Sequence, residues 1–169
     1  MILTYINSQT TGWLQGLFLL MILSFFLPRA HAAGTEAENS FLLGRQEYEK
    51  EAYADAIEAF STAVKLAPGS STYHHWLGKS YGRLAQNSNL FKAYRLSVRT
   101  REEFERAVLL DDKNIEAIED LMEFYRQAPA FLGGGQDKAD RLRRRVEELQ
   151  QQNTSTGLNL APPAMSQGE

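Results

Sequence analysis

Apolar residues recur along most of this chain with the period of an α-helix. Between residues 38 and 66 they form two runs, one containing Phe41 and one containing Phe60, in which they return every three or four positions. That spacing places them on one face of a helix, whereas a half-buried strand would alternate at every second position. Pro68-Gly69 ends the second run, because proline cannot continue a helix and glycine accepts the left-handed turn after one. The pattern predicts a helix, a short turn, a second helix and a break.

The same pattern returns further along the chain. The Leu-Gly pair that ends at Gly44 recurs at Gly78, 34 residues later, and the Phe-x2-Ala motif at Phe60 recurs at Phe104, 44 residues later. Both offsets fit one repeat of 34 residues followed by a longer one, with the insertion between residues 81 and 104. Repeated helical hairpins stack because each buries its apolar face against the next. The chain is therefore predicted to be all-α, with about three stacked hairpins.

The repeated residues resemble the tetratricopeptide repeat, a helical hairpin with the pattern W-x2-L-G-x2-Y, then A-x3-F-x2-A, then P. The resemblance covers residues 37–151. It rests on Leu43, Gly44, Ala56, Phe60, Ala63 and Pro68 in the first unit, Leu77, Gly78, Tyr81, Phe104 and Ala107 in the second, and Leu121, Tyr125, Ala139 and Val146 in the third. His74 replaces the tryptophan of the second unit, and Arg143 replaces the phenylalanine of the third. Residues 76–81 and 128–135 also resemble a bacterial, exported subgroup of these proteins.

This resemblance implies a right-handed α-solenoid over residues 37–152 that binds a protein or peptide and needs no cofactor. Tetratricopeptide proteins hold extended peptides or partner helices in a concave groove lined by the first helix of each hairpin. Carried over residue by residue, the groove positions are Phe41, Arg45, Tyr48 and Glu49 from the first unit, His75, Lys79, Gly82 and Arg83 from the second, and Glu119, Glu123, Arg126 and Gln127 from the third.

Three cations in this set fall on neighbouring places of the predicted groove. Lys79 and Arg83 are four positions apart and so share one stripe of a helix, and Arg45 is their counterpart one repeat earlier. The sharper hypothesis is a cationic patch that receives a carboxylate of the partner. The plainer interpretation, which the sequence favours, is that the cations are solvated or pair with Glu49 and Glu123.

Residues 1–32 differ in character from the rest. Gly12–Leu27 carries no charge, Pro28 follows it, and Ala30-His31-Ala32 supplies the small residues that signal peptidase accepts. The apolar run is short for a bilayer core of about 30 Å, which needs roughly 20 residues. We expect a signal peptide cleaved after Ala32 and an exported, periplasmic or otherwise extracytoplasmic protein. Since no Lys or Arg precedes the apolar run, an uncleaved membrane anchor stays open as the alternative.

Composition and charge exclude several classes of function. The 18 Lys and Arg residues are outnumbered by 21 Asp and Glu residues, so a nucleic-acid partner is not expected. With no cysteine, the chain has no disulfide, thiol nucleophile or zinc-thiolate site. The neighbouring His74 and His75 would point about 100° apart on a helix and could not clamp one metal ion.

Two glycine-containing stretches look like catalytic motifs and are interpreted otherwise. Residues 78–82 spell G-x-S-x-G, but the serine hydrolase elbow needs a strand before the nucleophile, and Ser80 lies in a helical run. Gly133–Gly135 lacks the spacing G-x4-G-K-[ST] of a phosphate loop. We predict a turn between the helices of the third unit, with Phe131 and its neighbour Leu132 packed on the core and Asp137 capping the next helix.

The insertion and the C-terminal end each leave two interpretations. Residues 88–99 mix apolar and basic side chains; the favoured interpretation is a helix extension packed on its neighbour, and the alternative is a docking surface for membrane or partner. Residues 153–169 lack periodicity and are expected to be disordered. The stack would then end without a capping helix, so a second copy of the chain could cover an open apolar end near Val146 and Leu149.

These features together predict a non-enzymatic protein-interaction module in the cell envelope. The first alternative is a membrane-tethered assembly factor of the envelope, in which membrane contact is made only through an uncleaved N-terminal segment. A serine hydrolase is the less favoured alternative.

Overall fold

Six α-helices make up most of residues 34–159, the part of the chain that the computed structural model describes. In chain order they are α1 (residues 34–49), α2 (Tyr53–Leu66), α3 (Ser71–Gln86), α4 (Leu90–Leu110), α5 (Ile115–Gln127) and α6 (Gln136–Asn159). A short 3-10 helix, Ala130–Leu132, lies between α5 and α6. This described range contains no strand, as the helical spacing predicts. Within it, no helix combines the length and apolar character that crossing a bilayer requires.

Three of the helices begin at a polar residue that caps the first turn. The side chain of Ser70 accepts a hydrogen bond from the Tyr73 N–H at the start of α3. Asn89 and Asn114 cap α4 and α5 in the same way. Each cap satisfies an N–H that has no partner inside the helix and contributes about 1 kcal/mol. The starts of these helices are therefore fixed by residues local in sequence.

The helices pack in chain order as three hairpins, α1–α2, α3–α4 and α5–α6, with α2 against α3 and α4 against α5. Glycines allow the closest approaches. A Cβ added to Gly44 would lie 2.6 Å from Phe60 Cδ1, and one added to Gly78 would lie 2.6 Å from Phe104 Cδ1. The predicted stack of hairpins is confirmed, and in each of the first two a phenylalanine ring lies against a glycine.

The C-terminal end of the stack differs from the expectation of an open apolar surface. Val146 and Leu149 on α6 are buried against Ile118 of α5. Because both side chains pack inside the third hairpin, between α5 and α6, they are not available to a second copy of the chain. The expectation of an open apolar end at these two residues was therefore wrong.

The boundary at residue 153 was also placed too early. Helix α6 continues to Asn159, through residues that were expected to be disordered. The hydroxyls of Thr154 and Ser155 donate to the carbonyls of Gln150 and Gln151, both at 2.9 Å, so the polar side chains follow the helix without packing on anything. The absence of apolar periodicity correctly indicated exposure but not the end of the helix. The predicted signal peptide or anchor at residues 1–32 and the end of the tail, 160–169, lie outside the described residues.

The glycine stretch forms the predicted turn. Gly133 has a φ of 90°, which favours glycine, and a Cβ on Gly134 would lie 1.7 Å from the Ala128 carbonyl oxygen. Lys138 Nζ donates to the Gly133 carbonyl at 2.8 Å, so this lysine closes the turn. Phe131 does not pack on the core as expected: it is 74% exposed, because the 3-10 helix turns its ring outward. Asp137 lies in the first turn of α6, where its charge favours the helix N-terminus.

Candidate peptide-binding groove

A cleft of about 470 Å³ opens between α3 and α5. Tyr48 of α1, four residues of α4 and the turn after α5 complete its lining. The side chains that line it are Tyr48, Lys79, Gly82, Arg83, Ala85 and Gln86, then Ala93, Ser97, Thr100 and Phe104 from α4, and Asp120, Glu123, Phe124, Gln127, Ala128, Pro129 and Leu132. The lining combines charged side chains with apolar ones, an arrangement suited to a peptide side chain.

Three aromatic rings lie at the α1 end of this cleft. The ring of Tyr48 meets those of Tyr53 and Trp76 edge-on, each with 5.3 Å between ring centroids. Burial raises the pKa of Tyr48 above its ordinary value, so its hydroxyl is neutral at physiological pH. The rings join the first two hairpins and form a rigid base.

Three cations lie on these rings. The Arg45 guanidinium is 4.0 Å from the centroid of Trp76, and Lys79 Nζ is 4.8 Å from the same ring. Arg83 lies 5.6 Å from the ring of Tyr53 and donates from Nε to the Tyr53 hydroxyl at 3.3 Å. That hydrogen bond raises the pKa of Arg83, which keeps the guanidinium charged. Such contacts attract a cation to the face of a ring without neutralising its charge.

We refer to Arg45, Tyr48, Tyr53, Trp76, Lys79 and Arg83 together as the cation–aromatic platform. The nearest carboxylates make only long contacts with its cations. Arg45 Nη2 is 3.8 Å from Glu49 Oε1, and Lys79 Nζ is 3.8 Å from Asp120 Oδ2, both too long for a good hydrogen bond. Exposed ion pairs of this kind contribute little to stability. The charges of the platform are thus only partly compensated.

Comparison with known proteins agrees with this architecture. No protein-family model matches the chain, and no curated protein matches it either. Among solved structures, the Arabidopsis OM64 TPR domain is 17% identical, with a TM-score of 0.56, over 75% of this chain and 92% of that one. The second TPR of Spaghetti (RPAP3), bound to the HSP90 peptide SRMEEVD, is 15% identical, with a TM-score of 0.58, over 72% of this chain and 98% of that one.

The chain has the tetratricopeptide-repeat fold. The first helices of its three hairpins are α1, α3 and α5. The cleft opens between two of them, α3 and α5, where the tetratricopeptide resemblance places the groove.

Six of the predicted groove residues line the cleft: Tyr48, Lys79, Gly82, Arg83, Glu123 and Gln127. Glu123 does not pair with the platform cations, since it accepts a hydrogen bond from Arg126 at 2.7 Å and another from Gln127. The bond from Arg126 lowers the pKa of Glu123. The plainer interpretation expected ion pairs with Glu49 and Glu123. Arg45 does pair with Glu49, but Lys79 pairs with Asp120 and not with Glu123.

Three of the other predicted residues, Phe41, Glu119 and Arg126, lie away from the cleft. Phe41 is 8% exposed and stacks on Tyr73 with 4.8 Å between centroids, so it belongs to the core. Glu119 is exposed on α5, and Arg126 faces a shallow depression towards α6. These residues follow the tetratricopeptide register, but the burial of Phe41 leaves its ring no free surface for a partner.

His75 is buried and holds α3 against α5, so it offers no surface to a partner. It is 4% exposed and donates from Nε2 to Asp120 Oδ2 at 2.7 Å, which links α3 to α5 beneath the cleft. His74 points elsewhere: its Nδ1 donates to Glu103 Oε2 at 2.6 Å. The two histidines thus bond to different helices, in agreement with their expected divergence.

Ser80 of the G-x-S-x-G sequence lies inside α3. It is fully buried, and its hydroxyl donates to the Trp76 carbonyl at 2.9 Å. A nucleophile on a strand-to-helix elbow would be exposed to its substrate. Neither the element nor the exposure required for this chemistry is present at Ser80.

Among the residues that sequence reasoning missed, Trp76, Asp120 and Tyr53 contact the cations of the site. Trp76 stands three positions before Lys79 and seven before Arg83, so the helical spacing could have placed it on the same stripe. Asp120 is adjacent to the predicted Glu119 but one step further round α5. Tyr53 is the first residue of α2, outside the groove helices, and no sequence signal pointed to it.

Proposed function

We propose that the cleft binds an extended, acidic segment of a protein partner and that the chain acts as a non-enzymatic interaction module. The observation that carries this proposal is the cation–aromatic platform: three cations from α1 and α3, held on two rings at the end of an open cleft. One carboxylate of the partner would lie on the platform, and a neighbouring side chain would enter the cleft.

The loose ion pairs favour this exchange. A carboxylate of the partner can accept close hydrogen bonds from Arg45 and Lys79 at little cost, because neither Glu49 nor Asp120 makes one to the platform. It would gain hydrogen bonds from charged donors, which are stronger than neutral ones. The rings keep the cations in place before binding, so few side chains lose freedom when the peptide arrives.

The bound peptide of one structural neighbour supports the mode of binding. The second TPR of Spaghetti (RPAP3) holds the peptide SRMEEVD, in which Glu and Asp residues predominate near the end. At 15% identity this likeness concerns the fold, so it supports an acidic peptide as the kind of ligand and does not indicate the partner of this chain.

A selection from random peptides with free carboxyl termini, displayed against the full chain, tests the proposal. We expect acidic peptides to be enriched, and we expect the double change Lys79→Glu and Arg83→Glu to weaken their binding by at least about tenfold, since charged hydrogen bonds contribute about 1.5–3 kcal/mol each. The measurement is fluorescence anisotropy of the enriched peptides.

The matched control is Arg144→Glu, which reverses an exposed cation on α6, far from the platform in the fold. It should leave peptide affinity unchanged. Enriched peptides that are not acidic, or acidic peptides that bind the double variant as well as the unchanged chain, would contradict the proposal.

We further propose that this binding takes place outside the cytoplasm. The support is the charge-free segment Gly12–Leu27 and the small residues that follow it. Mass spectrometry of the chain made in a bacterial host should show a loss of about 3 kDa if the segment is removed as a signal peptide. An intact N-terminus in the membrane fraction would favour the membrane-tethered assembly factor, and an intact N-terminus in the cytoplasm would contradict export.

A further inference from the structure

A second exposed feature lies at the start of α4, outside the peptide contacts just proposed. Leu90, Phe91 and Tyr94 are 89%, 76% and 46% exposed, and Phe131 of the neighbouring 3-10 helix is 74% exposed. The rings of Tyr94 and Phe131 stack with 6.3 Å between centroids. We call these four residues the apolar tip. Because two elements contribute to it, the tip is a defined surface and not a frayed helix end.

The helix buries its other side. Thr100 and Phe104 pack towards α3, and Ala93 and Ser97 line the cleft. The favoured sequence interpretation, a helix extension packed on its neighbour, therefore holds for one face of α4 but fails for its first turns. The exposed side chains project outward, where no described part of the chain covers them.

Cations flank the tip on one side. At about 100° per residue, Leu90, Tyr94 and Phe91 share one sector of α4, and the next sector carries Lys92, Arg95 and Arg99. Arg99 pairs with Glu102 at 3.3 Å. Lys92 and Arg95 have no ion-pair partner among residues 34–159.

The local charge is opposite to that of the whole protein. Residues 87–101 contain Lys92, Arg95, Arg99 and Arg101 and no Asp or Glu, although the chain carries a net charge of −3. An anionic surface would therefore repel most of the protein and attract this end. Such a charge distribution orients a molecule as well as binding it.

We infer that the apolar tip is a docking surface for an anionic lipid bilayer. Leu90 and Phe91 would insert below the headgroups, the Tyr94 ring would lie at the interface, and Lys92 and Arg95 would contact lipid phosphates. A protruding apolar point beside unpaired cations matches a bilayer better than a protein pocket, which would require the cations to be desolvated or paired. A docking surface at residues 88–99 is the less favoured of the two sequence interpretations, and the exposed tip makes it a second route to the membrane beside the N-terminal segment.

Docking at the tip would also bring the cleft close to the membrane. Ala93 lies one position before Tyr94 and lines the cleft, and Leu132 does so beside Phe131. The cleft would therefore lie close to the membrane, where it could bind a segment of a membrane-bound partner.

Co-sedimentation of the full chain with vesicles tests the apolar part. With equal parts of phosphatidylglycerol and phosphatidylcholine, the double change Leu90→Ser and Phe91→Ser should lower vesicle affinity about tenfold or more, because two large apolar side chains no longer leave water. Leu109→Ser is the matched control, since Leu109 is a leucine on the same helix and is 74% exposed. It should bind as the unchanged chain does. All variants share the same first 33 residues, so the contribution of that segment is common to them.

The charged part has its own test. Lys92→Gln with Arg95→Gln should weaken binding to the anionic vesicles roughly fivefold for each cation and should have little effect on phosphatidylcholine vesicles. Lys113→Gln with Arg144→Gln removes two exposed cations elsewhere and should change neither. Equal losses for the two pairs would show a general charge effect and would overturn the inference.

A local probe removes any ambiguity from the N-terminal segment. Since the chain has no cysteine, Phe91→Cys can carry a single environment-sensitive dye, and Leu109→Cys provides the control position. The dye at 91 should shift to the blue with anionic vesicles, and the dye at 109 should not. No shift at position 91, whether or not the chain sediments with the vesicles, would overturn the inference and leave a protein partner as the occupant of the tip. Peptide binding at the platform is measured separately with Lys79→Glu and Arg83→Glu, so the two proposals can fail independently.

Discussion

At the scale of single residues, the fold depends on a few positions where no side chain fits. Gly78 is the clearest, because it lies in the middle of α3 and faces the ring of Phe104. A glycine inside a helix is normally unfavourable by about 1 kcal/mol relative to alanine. Its presence here is explained by the close approach of α3 and α4.

Replacing this glycine with alanine should therefore destabilise the protein, although the same change usually stabilises a helix. Gly78→Ala should lower the free energy of unfolding by about 1–3 kcal/mol, because its Cβ would lie 2.6 Å from Phe104 Cδ1 and the pair must separate. Gly82→Ala in the same helix is the control: its Cβ would meet Thr100 Cγ2 at an ordinary 3.5 Å. That change should leave stability unchanged or raise it by up to about 1 kcal/mol. Urea unfolding followed by circular dichroism measures both, and equal effects would contradict the close-packed seam.

At the scale of elements, α6 closes the stack. Its buried face, with Val146 and Leu149, covers Ile118 of α5 in a small core separate from that of the first hairpins. Ala139 is buried and Leu142 is partly buried on the same stripe, whereas residues 150–155 are polar and exposed. The last helix therefore contributes to stability through a few side chains on one stripe.

Leu149→Ala should consequently destabilise the protein by about 2–5 kcal/mol, through lost burial and a cavity on α5. Leu109→Ala, which truncates an exposed leucine, should change the free energy of unfolding by less than about 0.5 kcal/mol. Chemical denaturation gives both values. If Leu149→Ala were as mild as Leu109→Ala, α6 would not be packed as described.

The elements also show what could be predicted from the sequence. Helix spacing and the glycine turn are local patterns, and each was found where it was expected. The place of Tyr53 in the groove depends on how α2 meets α3, and the exposure of Leu90 depends on what α3 leaves uncovered. Such contacts between elements leave no periodic signal in one sequence. The end of α6 was misjudged because a solvated helix needs no apolar stripe.

At the scale of the whole molecule, the stack brings charges from separate hairpins to one surface. Arg45 comes from the first hairpin and Lys79 and Arg83 from the second, and Asp120 from the third lies 3.8 Å from Lys79. A partner held there would contact all three repeats at once. Peptide binding should therefore stabilise the complete stack, by an amount that grows with ligand concentration.

The most direct measurement is nuclear magnetic resonance of the isotope-labelled chain, titrated with an acidic peptide from the selection. The account predicts that the shifted signals include the indole N–H of Trp76 and the amides of Tyr48, Lys79 and Arg83, and that Leu109 and Arg144 stay unchanged. Shifts confined to the outer faces of α2, α4 and α6, with the Trp76 indole signal unmoved, would contradict it.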